Sequence, residues 1–318
     1  MLKKFIIKLL LFVSIFLVVN FALNAIYKHY HNRVSRLKDR QFNEYDGPLT
    51  YLLIGDSYIQ SGVNPKIFRN SFNASVPSSG FPQNYYKLKD IVDRLGRKPD
   101  NIIIQADPSS FISNRNRVNT NDIYWVDFAD YDELAKESND PTFKRKYLGA
   151  RYISWMGGAR LLYKKLFLKK RERVEADLIV MGYRPSNMSF TDDPMKKQKA
   201  FVRERVKSYF KDEPPVDEFQ LKYFRYILEY CDQKGIGVYL IRVPATKAYI
   251  ERLSKVFDLN EFNRSIEEVA QSYSVFKGVL DYQDMLFDRP DYFVNPDHLN
   301  DKGATILSKA LDERLNGK

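Results

Sequence analysis

From Phe5 to Tyr27 the chain is apolar except at Lys8, Ser14, Asn20 and Asn24. As one helix this stretch would rise roughly 35 Å, enough to cross the hydrocarbon core of a bilayer. Residues 28–47 are polar and charged, and a different rhythm begins at Leu49. A continuous apolar run from Leu49 to Ile54 predicts a strand, and Phe72 to Val76 predicts a second, shorter one. Helical spacing follows over Gln83 to Leu95, then a third apolar strand over Asn101 to Gln105. Further on, Phe219 to Gln233 predicts a helix, Gly237 to Val243 a strand, Asn260 to Tyr273 a helix, Val279 to Tyr282 a short strand and Lys302 to Leu315 a closing helix. Such alternation implies an α/β fold: a central parallel sheet between two layers of helices, a three-layer α/β/α sandwich. Sheets of this kind bind ligands at the carboxyl ends of their strands.

Residues 108–215 lose that alternation and are rich in Asn, Asp, Tyr and Lys, with one predicted helix from Ala150 to Phe167 and a short apolar piece at Asp177 to Met181. They read as a large insertion of helix and loop, able to cap a site on the sheet. The organisation expected is therefore a transmembrane helix over 1–27, a basic juxtamembrane spacer over 28–47 and one domain over 48–318 that carries the insertion. The Lys3-Lys4 start is that of a signal-type segment. No small-x-small cleavage site follows it, since Leu23 stands two positions before Ala25, so an uncleaved anchor is expected.

Charge changes the picture little. Of the formal net charge of +11, residues 1–40 contribute +7, leaving only +4 on the remainder. That is a poor case for nucleic acid as a partner, and the basic flank Lys28, Arg33, Arg36, Lys38 and Arg40 suits anionic lipid headgroups. By the positive-inside rule alone this flank would hold the domain in the cytoplasm. The basic run Lys164 to Arg171 reads as a solvated helix face. Cys231 is the single cysteine, on a predicted helix that stops at Gly235, where it reads as a buried thiol. One cysteine excludes an internal disulfide and a thiolate metal site, and with three histidines no transition-metal centre or metal cofactor is expected.

The chemistry lies at two short motifs. Gly55-Asp56-Ser57 ends the first strand, and Asn295-Pro296-Asp297-His298-Leu299-Asn300 precedes the last helix. A serine hydroxyl needs a base before it attacks a carbonyl, and the charge that develops needs fixed donors. His29 and His31 flank the apolar segment, which leaves His298 as the base available to Ser57. Both loops fall where a parallel sheet would present them on one edge. Asp56 is expected to fix the turn and not to move protons. Alone, Gly-Asp-Ser also suits a plain helix-capping turn. Gly235-Ile236-Gly237 enters a strand instead of leaving one, the reverse of a dinucleotide fingerprint.

Gly55-Asp56-Ser57 after the first strand, Gly80 after the second, and Asp297-His298-Leu299-Asn300 before the last helix resemble the SGNH/GDSL hydrolase superfamily, over roughly residues 48–106 and 217–316. The single anchor and long insertion are similar to its membrane-tethered branch of alginate-type O-acetyltransferases and the teichoic-acid D-alanylation transferase. The resemblance implies a flavodoxin-like SGNH fold, Ser57 as nucleophile, His298 as base, and the N–H groups of Ser57 and Gly80 as oxyanion donors. Two positions depart from the family. Asn295 stands where many members place the triad acid, so Asp297 is the expected acid, with Asn295 able to orient the imidazole and Asp281 and Asp284 as further candidates. Gln105-Ala106-Asp107-Pro108 replaces the oxyanion Asn after the third strand; Gln105 can donate an N–H there, whereas an ionised Asp107 cannot. The resemblance further implies an extracytoplasmic domain, a polysaccharide or glycan substrate that is O-acetylated, and a multi-pass membrane acyltransferase as donor-side partner. A carbohydrate esterase of the same fold, or a non-catalytic polysaccharide-binding subunit, are the alternative readings.

Overall fold

The computed structural model describes residues 1–31, 33–112, 129–137, 142–157, 159, 163, 179–210 and 216–317. The chain divides into two compact units, Met1–Leu37 with Val118–Ala176, and Lys38–Arg117 with Asp177–Lys318. In the first unit, α1 (Leu2–His31) is a single helix whose most apolar stretch is buried against no protein, and it is long and apolar enough to span a membrane. Helix α2 (Arg33–Glu44) follows in sequence. The insertion contributes α5 (Tyr131–Glu137), α6 (Phe143–Tyr152) and α7 (Ser154–Gly157) to this unit. The helix expected from Ala150 is thus broken at Ile153, and its remainder beyond Gly157, with the Lys164–Arg171 run, lies almost wholly outside the described residues.

The second unit is built on five parallel strands: β1 (Tyr51–Ile54), β2 (Ser71–Asn73), β3 (Asn101–Gln105), β4 (Gly237–Arg242) and β5 (Phe276–Asp281), in the order β2-β1-β3-β4-β5. The helices are α3 (Ser57–Gly62), α4 (Phe81–Lys89), α8 (Met195–Phe210), α9 (Glu218–Lys234), α10 (Lys247–Leu253), α11 (Leu259–Gln271) and α12 (Asp301–Asn316). Strand alternation sorts the core into two faces. Leu53, Ile103, Ile241 and Leu280 share one cluster with Ile59 of α3 and Leu307 and Leu311 of α12. Leu52, Ile102, Ile104 and Leu240, of opposite parity, are fully buried on the other face. The three-layer α/β/α sandwich expected from the sequence is the fold found.

Boundaries shift for local reasons. Strand β2 stops at Asn73 because that side chain turns the chain: its Nδ2 donates to the carbonyls of Ile59 and Val63 at 2.8 and 3.0 Å, and its Oδ1 accepts the Ser75 N–H. Gly182 crosses there with φ +83°, so close that a Cβ would lie 1.7 Å from the Asn73 carbonyl oxygen. Helix α4 starts earlier than its spacing predicts, with Pro82 in its first turn, and ends in a π turn over Asp90–Arg94. Asp217 caps α9 through its carboxylate and Gly235, at φ +61°, stops it. Cys231 is buried on that helix, as expected, and burial pushes its thiol pKa up.

Candidate active site

The carboxyl end of β1 leads through Gly55 and Asp56 directly into α3, and the turn is fixed by three contacts. The Asp56 carboxylate accepts the Tyr58 N–H at 2.8 Å, its own N–H donates to Gln105 Oε1 at 3.2 Å, and Ser79 Oγ donates to the Gly55 carbonyl at 2.8 Å. Gly55 is required by space: a Cβ there would stand 2.8 Å from Ile59 Cγ1 and 3.0 Å from Gln105 Oε1. The turn makes Ser57 the first residue of α3, where its N–H has no intrahelical acceptor.

Across from it, β6 (Phe293–Asn295) and β7 (His298–Leu299) form a small antiparallel hairpin. Buried Phe293 seats the hairpin, and Thr246 ties its turn to the end of β4 by donating both N–H and Oγ1 to the Pro296 carbonyl. The result places Ser57 Oγ 2.8 Å from His298 Nε2. On the other side of the ring, Nδ1 lies 2.9 Å from Asp297 Oδ1 and 3.1 Å from Asn295 Oδ1. Both of those oxygens only accept, so the neutral ring carries its proton on Nδ1 and turns the Nε2 lone pair to the serine hydroxyl.

Asp297 has no exposed side-chain surface and is held from three directions. Besides His298, its Oδ2 accepts from Arg205 Nε at 2.8 Å and from the Tyr58 hydroxyl at 2.5 Å. Burial alone would raise its carboxyl, but His298 and Arg205 outweigh burial and hold it well below the usual carboxylate range. Tyr58 also lies against the imidazole, ring centroids 4.4 Å apart at 30°. Burial first, and the Asp297 charge second, push its phenol well above the ordinary value, so it stays a donor. Arg205, from α8 in the insertion, rests its guanidinium over Tyr209 at 4.7 Å.

The structure thus brings Ser57, His298, Asp297 and Asn295 together. Asp281 instead pairs with Arg242 at 2.7 Å, and neither it nor Asp284 bonds to His298. The Gly80 N–H, expected as an oxyanion donor, donates at 2.7 Å to Gln83 Oε1 inside its own helix. Gln105 lies beside the turn, but its Oε1 is taken by Asp56, and its buried Nε2 makes no well-formed hydrogen bond among the described residues. Asp107 stands two residues past the end of β3. Burial, then the neighbouring Asp56 charge, push its carboxyl well above the ordinary value, which favours the protonated, donating form. Sequence reasoning missed Tyr58 and Arg205. Adjacency to Ser57 pointed to the first, whereas Arg205 is one of many basic residues on a charged helix and carried no signal. No group of acidic, His or Cys side chains suited to a metal occurs among the described residues.

No protein-family model matches the chain, and no curated protein does. Among solved structures, it is similar to a protein from Streptococcus pneumonia described as a candidate platelet activating factor, at 14% identity over 94% of this chain and 98% of that one, with a TM-score of 0.43. A candidate acylhydrolase from Bacteroides fragilis matches at 12% identity over 87% and 93%, with a TM-score of 0.40. A candidate lipolytic protein of the G-D-S-L family from Desulfitobacterium hafniense matches at 12% identity over 83% and 98%, with a TM-score of 0.36. Likenesses with TM-scores this low carry no weight for function, which rests on the geometry of the chain itself.

Proposed function

We propose that this chain is a membrane-anchored serine acyltransferase of the SGNH/GDSL type, acting on a cell-envelope or exported polysaccharide by an acyl-enzyme route. One observation carries the reading: Ser57 Oγ, the His298 ring and the Asp297 carboxylate form an unbroken hydrogen-bonded line, with the serine end partly exposed and the acid end buried. His298 Nε2 takes the proton as Ser57 Oγ bonds to the acyl carbon of a donor ester, and then gives it to the departing alcohol. The Ser57 N–H, free at the start of α3, faces the developing oxyanion, and the Gln105 amide is the nearby side-chain donor. A sugar hydroxyl, deprotonated by the same imidazole, then bonds to the acyl carbon, and the imidazole returns that proton to Ser57 Oγ as the seryl ester bond breaks. Transfer of acetyl to a glycan, an extracytoplasmic site and a multi-pass acyltransferase on the donor side follow from the resemblance of the motifs and the single apolar helix.

Labelling of the detergent-solubilised chain with a fluorophosphonate tests the serine. Wild type is expected to label, and Ser57→Ala and His298→Ala to lose the label. A folded wild type that stays unlabelled would count against an activated serine. With an acetyl ester and an oligosaccharide supplied together, acetylated sugar indicates transfer and free acetate alone indicates an esterase.

A further inference from the structure

Helix α1 carries two amides, Asn20 and Asn24, within an otherwise apolar stretch, and the insertion satisfies both. Asn20 Nδ2 donates to the Tyr152 carbonyl at 3.1 Å and its Oδ1 accepts from Trp155 Nε1 at 2.8 Å. Asn24 Nδ2 donates to the Arg151 carbonyl at 3.2 Å, and its Oδ1 accepts the Ser154 N–H at 3.0 Å together with the Ser154 hydroxyl. The exchange works both ways. The break between α6 and α7 leaves backbone groups without helical partners, and the two asparagines complete them. Irregular backbone persists at membrane depth only where protein satisfies it in this manner.

The same short segment is apolar on its outside. Leu148, Tyr152, Ile153 and Met156 are exposed, at 39, 57, 39 and 61%. Exposed Lys144, Arg145 and Arg151 stand on α6. Along a helix, Asn20 and Asn24 lie roughly 10 and 5 Å before the end of the apolar stretch at Tyr27. That is the depth at which amphipathic segments seat in the headgroup–acyl boundary, and Trp and Tyr collect there. We infer that residues 148–156 are a second membrane contact, an interfacial platform fastened to α1 through Asn20 and Asn24 and seated in the bilayer boundary beside it. The inference rests on α1 spanning a membrane. The occupant of the exposed face is lipid, because the segment is hydrogen-bonded to the apolar stretch of α1 itself and its cations suit anionic headgroups.

The test uses the full chain in phosphatidylcholine/phosphatidylglycerol vesicles. With Trp125→Phe, Trp155 is the sole tryptophan. Lipids brominated near the headgroup end of the acyl chain are expected to remove most of its emission, and lipids brominated near the chain terminus much less. A second protein, with both tryptophans replaced by Phe and Phe12→Trp added, reports on α1 and is expected to be quenched by the deep bromines. Quenching at position 12 without quenching of Trp155 overturns the platform while leaving the membrane helix intact, and points to a protein partner on that face. Absence of quenching at position 12 removes the spanning helix and the platform with it. Stronger quenching of Trp155 by deep than by shallow bromines also overturns the boundary placement.

Discussion

At the scale of single residues, the site is governed by one buried carboxylate with three partners. Asp297→Asn keeps the shape but leaves the ring free to carry its proton on the wrong nitrogen, and activity on a chromogenic acetate ester is expected to fall on the order of 10⁴-fold in the folded protein. Arg205→Ala leaves the carboxylate buried with a partner fewer, at an expected cost of about 1.5–3 kcal/mol in unfolding. The sign of its pH dependence follows. A carboxyl held below its unfolded value of 3.8 contributes stability that is complete above that value and lost as pH falls through the lower, folded one. Removing the Arg205 cation raises the folded value, so the acid-unfolding midpoint should move to higher pH in Arg205→Ala and recover partly in Arg205→Lys. An unchanged midpoint would mean that the guanidinium does not hold Asp297.

At the scale of elements, the strands and helices of the second unit were legible because each buries a face whose period shows in the sequence. The contact between Ser57 and His298 was legible because one histidine lay near the sheet edge. Helix α8 hid its contribution, since Arg205 is distinguished only by the distant carboxylate it meets. The partner of the Gly80 N–H was hidden for a related reason: whether an N–H at a helix start is open depends on a side chain three residues on, here Gln83. The start of α12 shows how capping fixes the base. Asn300 Oδ1 accepts the N–H groups of Lys302 and Gly303, while its Nδ2 donates to the carbonyls of Met188 and Asp291. Asn300→Ala is expected to cost about 1–2 kcal/mol by chemical unfolding. Because Asn300 is two residues from His298, fluorophosphonate labelling should slow as well. Gly55→Ala is expected to slow it further and to lower thermal stability as well, since the added methyl meets buried Ile59 as well as Gln105.

At the scale of the molecule, the second unit takes a lysine into its interior. Lys38 is buried, its Nζ donates to the Ser75 carbonyl, and its pKa is brought down to about 7, first by burial and then by Lys87, against the opposing charge of Asp39. The folded protein therefore binds this proton less tightly than the unfolded chain does. Between about 7 and 10.5 the unfolded state holds more protons, so stability attributable to Lys38 rises with pH across that window and is lost as pH falls through 7. Measured against Lys38→Met, wild type should gain in melting temperature from pH 7 to pH 10; a constant difference would contradict the burial of a cation there.

The division of the chain gives the long interval between β3 and α9 two different standings. Val118–Ala176 clusters with the apolar helix, whereas the stretch from Asp177 onward clusters with the sheet and brings Arg205 to Asp297. An engineer who excised everything between Asp107 and Val216 to obtain a minimal domain would therefore discard Arg205, the partner of the buried Asp297. The separable piece is the earlier portion, and a shortened protein that keeps 177–210 is the one that retains the clamp on its acid.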